Sequence, residues 1–162
     1  MAVSITVDRT ALLKEAMKAL KDSAVLVGIP SASNKNLRTD TPETNAEIGF
    51  VNEYGEPSKN IPARPFLMPG INLAMAKNKK IMLNGAKKAL SLHDNPVIAI
   101  DIALNAVGIN SQNAIQNYIV DGDFIPLAPY TLELRKRRGF MGEKPLNVTG
   151  SLHDAITYVV ES

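Results

Sequence analysis

The sequence predicts an α+β fold: a small, mostly antiparallel sheet with long helices packed on one face. Three observations lead there. Short runs of strand length and β-branched composition stand near both ends, "VSITV" (3–7), "AVLVGI" (24–29) and "AITYVV" (155–160). Two long central segments, about 70–92 and 96–120, repeat apolar residues at helical spacing. The 162 residues suit a single domain, 1–162. A chain of that length buries roughly 70% of its unfolded surface, enough for a proper core.

Taken in order, residues 3–7 alternate apolar and polar, the signature of a strand. Asp8 follows as a cap for a helix reaching Lys21, in which Leu12, Leu13, Ala16, Met17 and Leu20 share one face. The compact run 24–29, closed by Pro30, reads as a buried strand. Residues 30–43 are polar and rich in Ser, Asn and Thr, an irregular arm. Thr44 and Glu47 have capping-box spacing and open a short helix to Tyr54. Ile48, Val51 and Tyr54 are expected on its inner edge, with Gly55 as the stop.

Next comes "NIPARPFLMPGI" (60–71), with prolines at 62, 65 and 69. A residue before proline avoids the α region, so Ile61 and Arg64 are expected to be extended. Pro69 fits the first turn of a helix, where a missing N–H costs nothing. That helix is expected to reach about Leu92, with Ile71, Ala74, Met75, Met82, Ala86 and Leu90 on one face and Lys77, Lys80, Lys87 and Lys88 on another. Pro96 opens a further helix to about Val120, with Ile100, Leu104, Val107, Ile115 and Tyr118 inward. Gly108 weakens its middle by ~1 kcal/mol relative to Ala and invites a kink. A second irregular arm, 121–148, holds Pro126, Pro129 and Pro145 and looks helical only at 129–138, with room for one more strand. The turn "TGSLHD" leads to the last strand.

Composition narrows the functional classes. Net charge is +2, too small by itself to imply nucleic-acid binding. No cysteine is present, which removes disulfides and thiolate metal sites and fits assembly in the cytosol. The amino-terminus lacks the basic and apolar regions of a signal peptide. The apolar stretch 96–109 is broken by Asp101 and Asn105, short of the ~18 uninterrupted residues of a membrane span. The sequon "NVT" (147–149) therefore reads as a chance match.

No phosphate-binding loop occurs. "SLHD" (151–154) holds Ser, His and Asp together, but neighbours on one turn point apart, whereas a triad converges from separate elements. "DGD" (121–123) lacks the spacing of a calcium loop and reads as a polar turn. His93 and His153 are the only histidines. No catalytic, cofactor or metal-ligating set is expected, and the chain is not expected to be an enzyme. The sharpest charge feature is "RKRR", Arg135, Lys136, Arg137 and Arg138. A DNA-binding module using this segment is the alternative reading; a solvated helical face or a contact with an acidic neighbour is the other.

Two blocks carry a resemblance. "AEIGFVNEYGEPSKNIPARPFLMPGI" (46–71) resembles the signature of the tail-component, or tail-completion, family of tailed bacteriophages through Ala46, Ile48, Glu53, Tyr54, Gly55 and the run from Ile61 to Leu67. Residues 126–160 are similar to the carboxyl end of phage virion-morphogenesis proteins. The matching residues are Pro126, Leu127, Pro129, Thr131, Lys144, Pro145, Leu146, Thr149, Gly150, Leu152, Ile156 and Tyr158. The blocks cover less than half the chain, in the right order; 72–120 carries no signature. The resemblance implies a structural virion protein of the neck or tail, a completion protein or tail terminator. It would be assembled in the host cytoplasm as a homo-oligomeric ring, six-fold favoured and twelve-fold possible. Its implied partners are neighbouring connector or adaptor and tail-tube proteins, with packaged DNA passing non-specifically through the channel and no membrane. A cofactor is not implied.

The proline linker fits a ring subunit, whose contacts join two different surfaces. Pro62 and Pro65 stiffen it, each stabilising by roughly 0.4–1 kcal/mol where the geometry fits. Phe66 is expected to anchor it, and Arg64 to reach a carboxylate, with Glu53 first. These contacts join subunits or lie within one chain, two placements the sequence leaves open. Glu53, Arg64, Phe66 and the basic residues 135–138 are thus the candidate assembly residues.

Overall fold

The computed structural model describes residues 10–30, 42–91 and 95–161. The elements are α1 (Thr10–Asp22), β1 (Ala24–Gly28), α2 (Asn45–Tyr54), a single 3-10 turn (Pro57–Lys59), α3 (Leu67–Ala89), α4 (Pro96–Asp121), α5 (Pro129–Arg137), α6 (Ser151–Asp154) and β2 (Thr157–Glu161). The two strands pair antiparallel, with Ala24 opposite Glu161, Leu26 opposite Val159 and Gly28 opposite Thr157. The fold is α+β, a small antiparallel sheet with long helices. The expected strand at 3–7, the Asp8 cap, residues 31–41 of the first arm, the helix end at Leu92 and His93 lie outside the described residues.

Helix α4 organises the rest, meeting α3 along its length and also α1 and both strands. One core cluster joins Ala16 of α1, Ala89 of α3 and Ala99, Ile100 and Leu104 of α4, with Val25 and Val160 of the sheet against it. The second joins Phe66, Ile115, Ile119, Leu152 and Ile156, with Val27 and Leu146 against it. The sheet therefore has one covered face. Leu26 and Val159 point the other way and are 52% and 53% exposed. The strand expected to be buried is buried on one face only, because a two-stranded antiparallel sheet with helices on a single side alternates inward and outward residues.

The α3–α4 contact keeps part of the expected face, Ala74 with Ile71 and Met82 beside it, and differs in the rest. The buried α3 residues are Gly70, Ala74, Gly85 and Ala89, while Met75 and Leu90 are exposed. Small residues win because the two backbones approach closely. A Cβ at Gly70 would lie 2.6 Å from the Ile115 Cα, and one at Gly85 would lie 2.3 Å from the Ala103 Cβ. At mid-length Asn78 donates to the Ser111 hydroxyl at 2.8 Å and accepts from the Asn110 amide at 2.8 Å. That network satisfies the buried Ser111. Along α4 the expected inward residues Ile100, Leu104 and Ile115 are buried. The helix runs unbroken through Gly108, whose missing side chain makes room for the Tyr158 ring, 2.2 Å from where a Cβ would sit.

Capping follows the sequence closely. The Glu47 amide donates to Thr44 Oγ1 at 3.2 Å, and the Thr44 amide donates to the Glu47 carboxylate at 2.8 Å. Asn95 Oδ1 accepts from the amides of Val97 and Ile98 at 3.0 and 3.4 Å, opening α4. Thr44→Ala or Asn95→Ala is expected to cost about 1 kcal/mol each. Thermal unfolding would read either as a fall of roughly 2–4 °C.

Helix α2 turns a different face inward from the one expected. Asn45, Gly49 and Glu53 are buried; Tyr54 is exposed and its ring lies 4.9 Å from that of exposed Phe50. Gly49 lets Ile29, Leu152 and Phe66 close over the helix, a Cβ there meeting the Ile29 side chain at 2.6 Å. In 121–148 no strand forms; α5 is its one regular element.

Candidate functional site

The linker after α2 is a folded device. Gly55 takes a positive φ of 77°, and a Cβ there would meet the Ala63 amide nitrogen at 2.8 Å. Glu56 and Ile61 form an antiparallel bridge across the 3-10 turn, with Asn60 in the left-handed region at its corner. The Arg64 amide then donates to the Asn52 carbonyl at 2.6 Å, folding the chain back along α2.

Glu53 and Arg64 are both buried here, but not as a pair. The Glu53 carboxylate accepts from the amides of Phe66, Leu67 and Met68 at 2.8, 2.9 and 3.2 Å. It caps α3 from another helix. The first turn of a helix leaves amides without partners, and Phe66 at the cap position has no acceptor of its own. The helix dipole further favours an anion there.

Arg64 faces a different need. Its Nε donates to the Ile125 carbonyl at 2.7 Å and its Nη2 to the Pro126 carbonyl at 3.0 Å. The expected Arg64–Glu53 ion pair is replaced by separate backbone contacts, three amides for the carboxylate and two carbonyls for the guanidinium. Burial lowers the Arg64 pKa from its ordinary value. Phe66, 2% exposed, lies in the second core cluster. All these contacts are within one chain.

The basic segment does not form one cationic face. Successive residues of a helix are turned by about 100°, so four in a row spread around it. Arg135 turns inward, its Nη1 donating to the carbonyls of Gly142 and Lys144 at 3.1 and 2.8 Å. Burial, and then the charge of Arg64, lower its pKa. Arg137 pairs with Glu133 one turn earlier, on the surface, at 2.6 Å. Lys136 and Arg138 are exposed. Lys144, absent from the candidate set, donates from Nζ to the Val120 carbonyl at 2.7 Å and ties the second arm to the end of α4. Its position just before Pro145 is the signal that was available.

"SLHD" becomes α6. The Ser151 hydroxyl bonds the Thr149 hydroxyl at 2.7 Å, and His153 Nδ1 lies 2.8 Å from the Asp154 carboxylate. Ser151 and His153 are not hydrogen-bonded to each other, so the pair lacks the nucleophile–base contact. Asp121 and Asp123 are exposed. Among the described residues no cluster of three or more His, Cys, Asp or Glu side chains is placed to hold a metal ion.

Large apolar side chains instead face outward in organised stripes. On α1, Leu12, Leu13, Met17 and Leu20 are exposed, and only Ala16 is buried. On α4, Ile98, Ile102 and Ile109 recur at helical spacing and are 57%, 62% and 50% exposed. Phe50 and Tyr54 add an aromatic pair on α2. Contiguous exposed apolar surface of this kind marks places where proteins associate. Among the described residues no helix is long and apolar enough to cross a membrane. No family model, curated protein or solved structure matches the chain.

Proposed function

We propose that the protein is a structural component of a tailed-phage particle, completing the neck or tail as a homo-oligomeric ring around the DNA channel. The observation that carries this reading is the union of the two blocks that resemble the tail-completion and virion-morphogenesis proteins. They lie about sixty residues apart, yet Arg64 of the first block bonds the Pro126 carbonyl that begins the second. Phe66 of the first shares a core with Leu152 and Ile156 of the second. Residues that resemble one family thus build one structural unit, and 72–120 is the helical hairpin it rests on.

The outward apolar stripes of α1 and α4 are the surfaces that a ring contact would cover, each meeting a different surface of the next copy. Lys136, Arg138 and the exposed lysines of α3 are among the cations available to passing DNA or to an acidic neighbour. Arg135, turned inward onto the Gly142 and Lys144 carbonyls, is not among them.

Light scattering with negative-stain imaging tests the reading. The expected result is a closed particle of six or twelve chains with an open centre. Ile102→Glu, on the exposed α4 stripe, is expected to break the ring and leave the helical circular-dichroism signal intact. A monomer at all concentrations that binds duplex DNA with steep salt dependence would overturn the ring in favour of a DNA-binding module.

A further inference from the structure

Arg64 and Arg135 come from segments seventy-one positions apart, yet they share the wall of one cavity of about 200 Å³. Ile48, Leu146 and Leu152 supply apolar wall; Asn52 and Thr149 supply polar groups. No acidic side chain among the described residues lines it. Among the described residues neither arginine makes an ion pair, and their hydrogen-bond partners are all backbone carbonyls. Those bonds use Nε and Nη2 of Arg64 and Nη1 of Arg135, leaving guanidinium donors of both to spare. The same bonds hold the two cations in place, so neither can swing out to water without releasing a loop.

Two guanidiniums held near each other beside apolar walls repel, and the repulsion grows as water is excluded. The burial that lowers both pKa values points the same way. An anion would offset that repulsion, and planar donor forks suit the paired oxygens of carboxylates and phosphates.

We propose that the cavity between Arg64 and Arg135 is an oxyanion-binding site, taking a single phosphate-type or carboxylate group. This inference is independent of the phage reading. The ligand's charge would offset the repulsion, and its oxygens would take the spare donors. Binding would also tighten the carbonyl contacts to 125–126 and 142–144, and so order the second arm.

Thermal unfolding of the full chain tests this with inorganic phosphate and with acetate, each against sodium chloride at matched ionic strength. At about 10 mM, phosphate is expected to raise the Tm by roughly 3 °C for a site of about millimolar affinity. A larger response to acetate would identify the carboxylate as the preferred group. Arg135→Gln is expected to lose at least two thirds of the shift. Thr149→Glu, which places a carboxylate at the cavity wall, is expected to raise the Tm without ligand and to abolish the response. Neither anion exceeding chloride would overturn the proposal. So would a response that persists undiminished in both variants.

Discussion

Glu53→Ala is expected to destabilise the domain by about 3 kcal/mol, the largest effect of any single polar substitution described. Three backbone amides at the start of α3 lose their acceptor at once, and they sit where the linker, the helix and the second core cluster meet. Charged acceptors to amides contribute about 1.5–3 kcal/mol each in isolation, but three bonds to one carboxylate do not add in full. Glu53→Gln keeps the shape and one acceptor oxygen while turning an amide group toward amide donors, so about half the loss is expected. Urea unfolding measures both. A loss below about 1 kcal/mol for the alanine variant would mean that water replaces the cap without penalty.

The second large effect lies in the α3–α4 hairpin. Gly85→Ala places a methyl 2.3 Å from that of Ala103, and the helices must part. Overpacking of this kind costs about 1–3 kcal/mol, against a gain of roughly 0.5–1 kcal/mol from replacing glycine in a helix. A net loss of about 1–2 kcal/mol is expected. The obstacle is a single methyl, so Ala103→Gly in the same chain should restore most of the stability. The double-mutant cycle is expected to show a coupling above about 1 kcal/mol. Gly70→Ala offers no such rescue, because its obstacle is the Ile115 backbone. Additive losses at Gly85 and Ala103 would show that the hairpin yields at this crossing.

The contrast between these sites shows why some of the fold could be read directly and some could not. The Thr44 capping box and the Asn95–Pro96 start depend on residues two or three positions apart, and local chemistry decides them. The α4 core face was legible for a similar reason: Ile100, Leu104 and Ile115 recur at helical spacing and are buried. On α3 the same logic placed Ala74 in the core and Ile71 and Met82 against it, but Met75 and Leu90 are exposed. What decides that face is how near α4 approaches, and closeness favours Gly70 and Gly85, which carry no hydrophobic signal. On α1 the apolar face was equally plain, yet Leu12, Leu13, Met17 and Leu20 face outward. Periodicity identifies an apolar face without saying what covers it.

Glu53, Arg64 and Phe66 stood out in and beside the proline linker, and all three are buried, but their partners were not legible. Opposite charges eleven positions apart suggest an ion pair. The folded chain brings each to a stronger local demand, unpartnered amides for the carboxylate and paired carbonyls for the guanidinium. Arg135 shows the same limit, standing in a basic tetrad as one of four while the fold turns it inward beside Arg64.

The sequence by itself determined the α+β class, the starts of α2, α4 and α5, the linker's prolines and the absence of cysteine chemistry, all properties of composition or of neighbouring residues. Only the tertiary structure decided which faces are covered, what the buried charges bond and that two arginines share one cavity. Those depend on distances between segments far apart in the chain, where packing and the need of each buried polar group for a partner outweigh local preference.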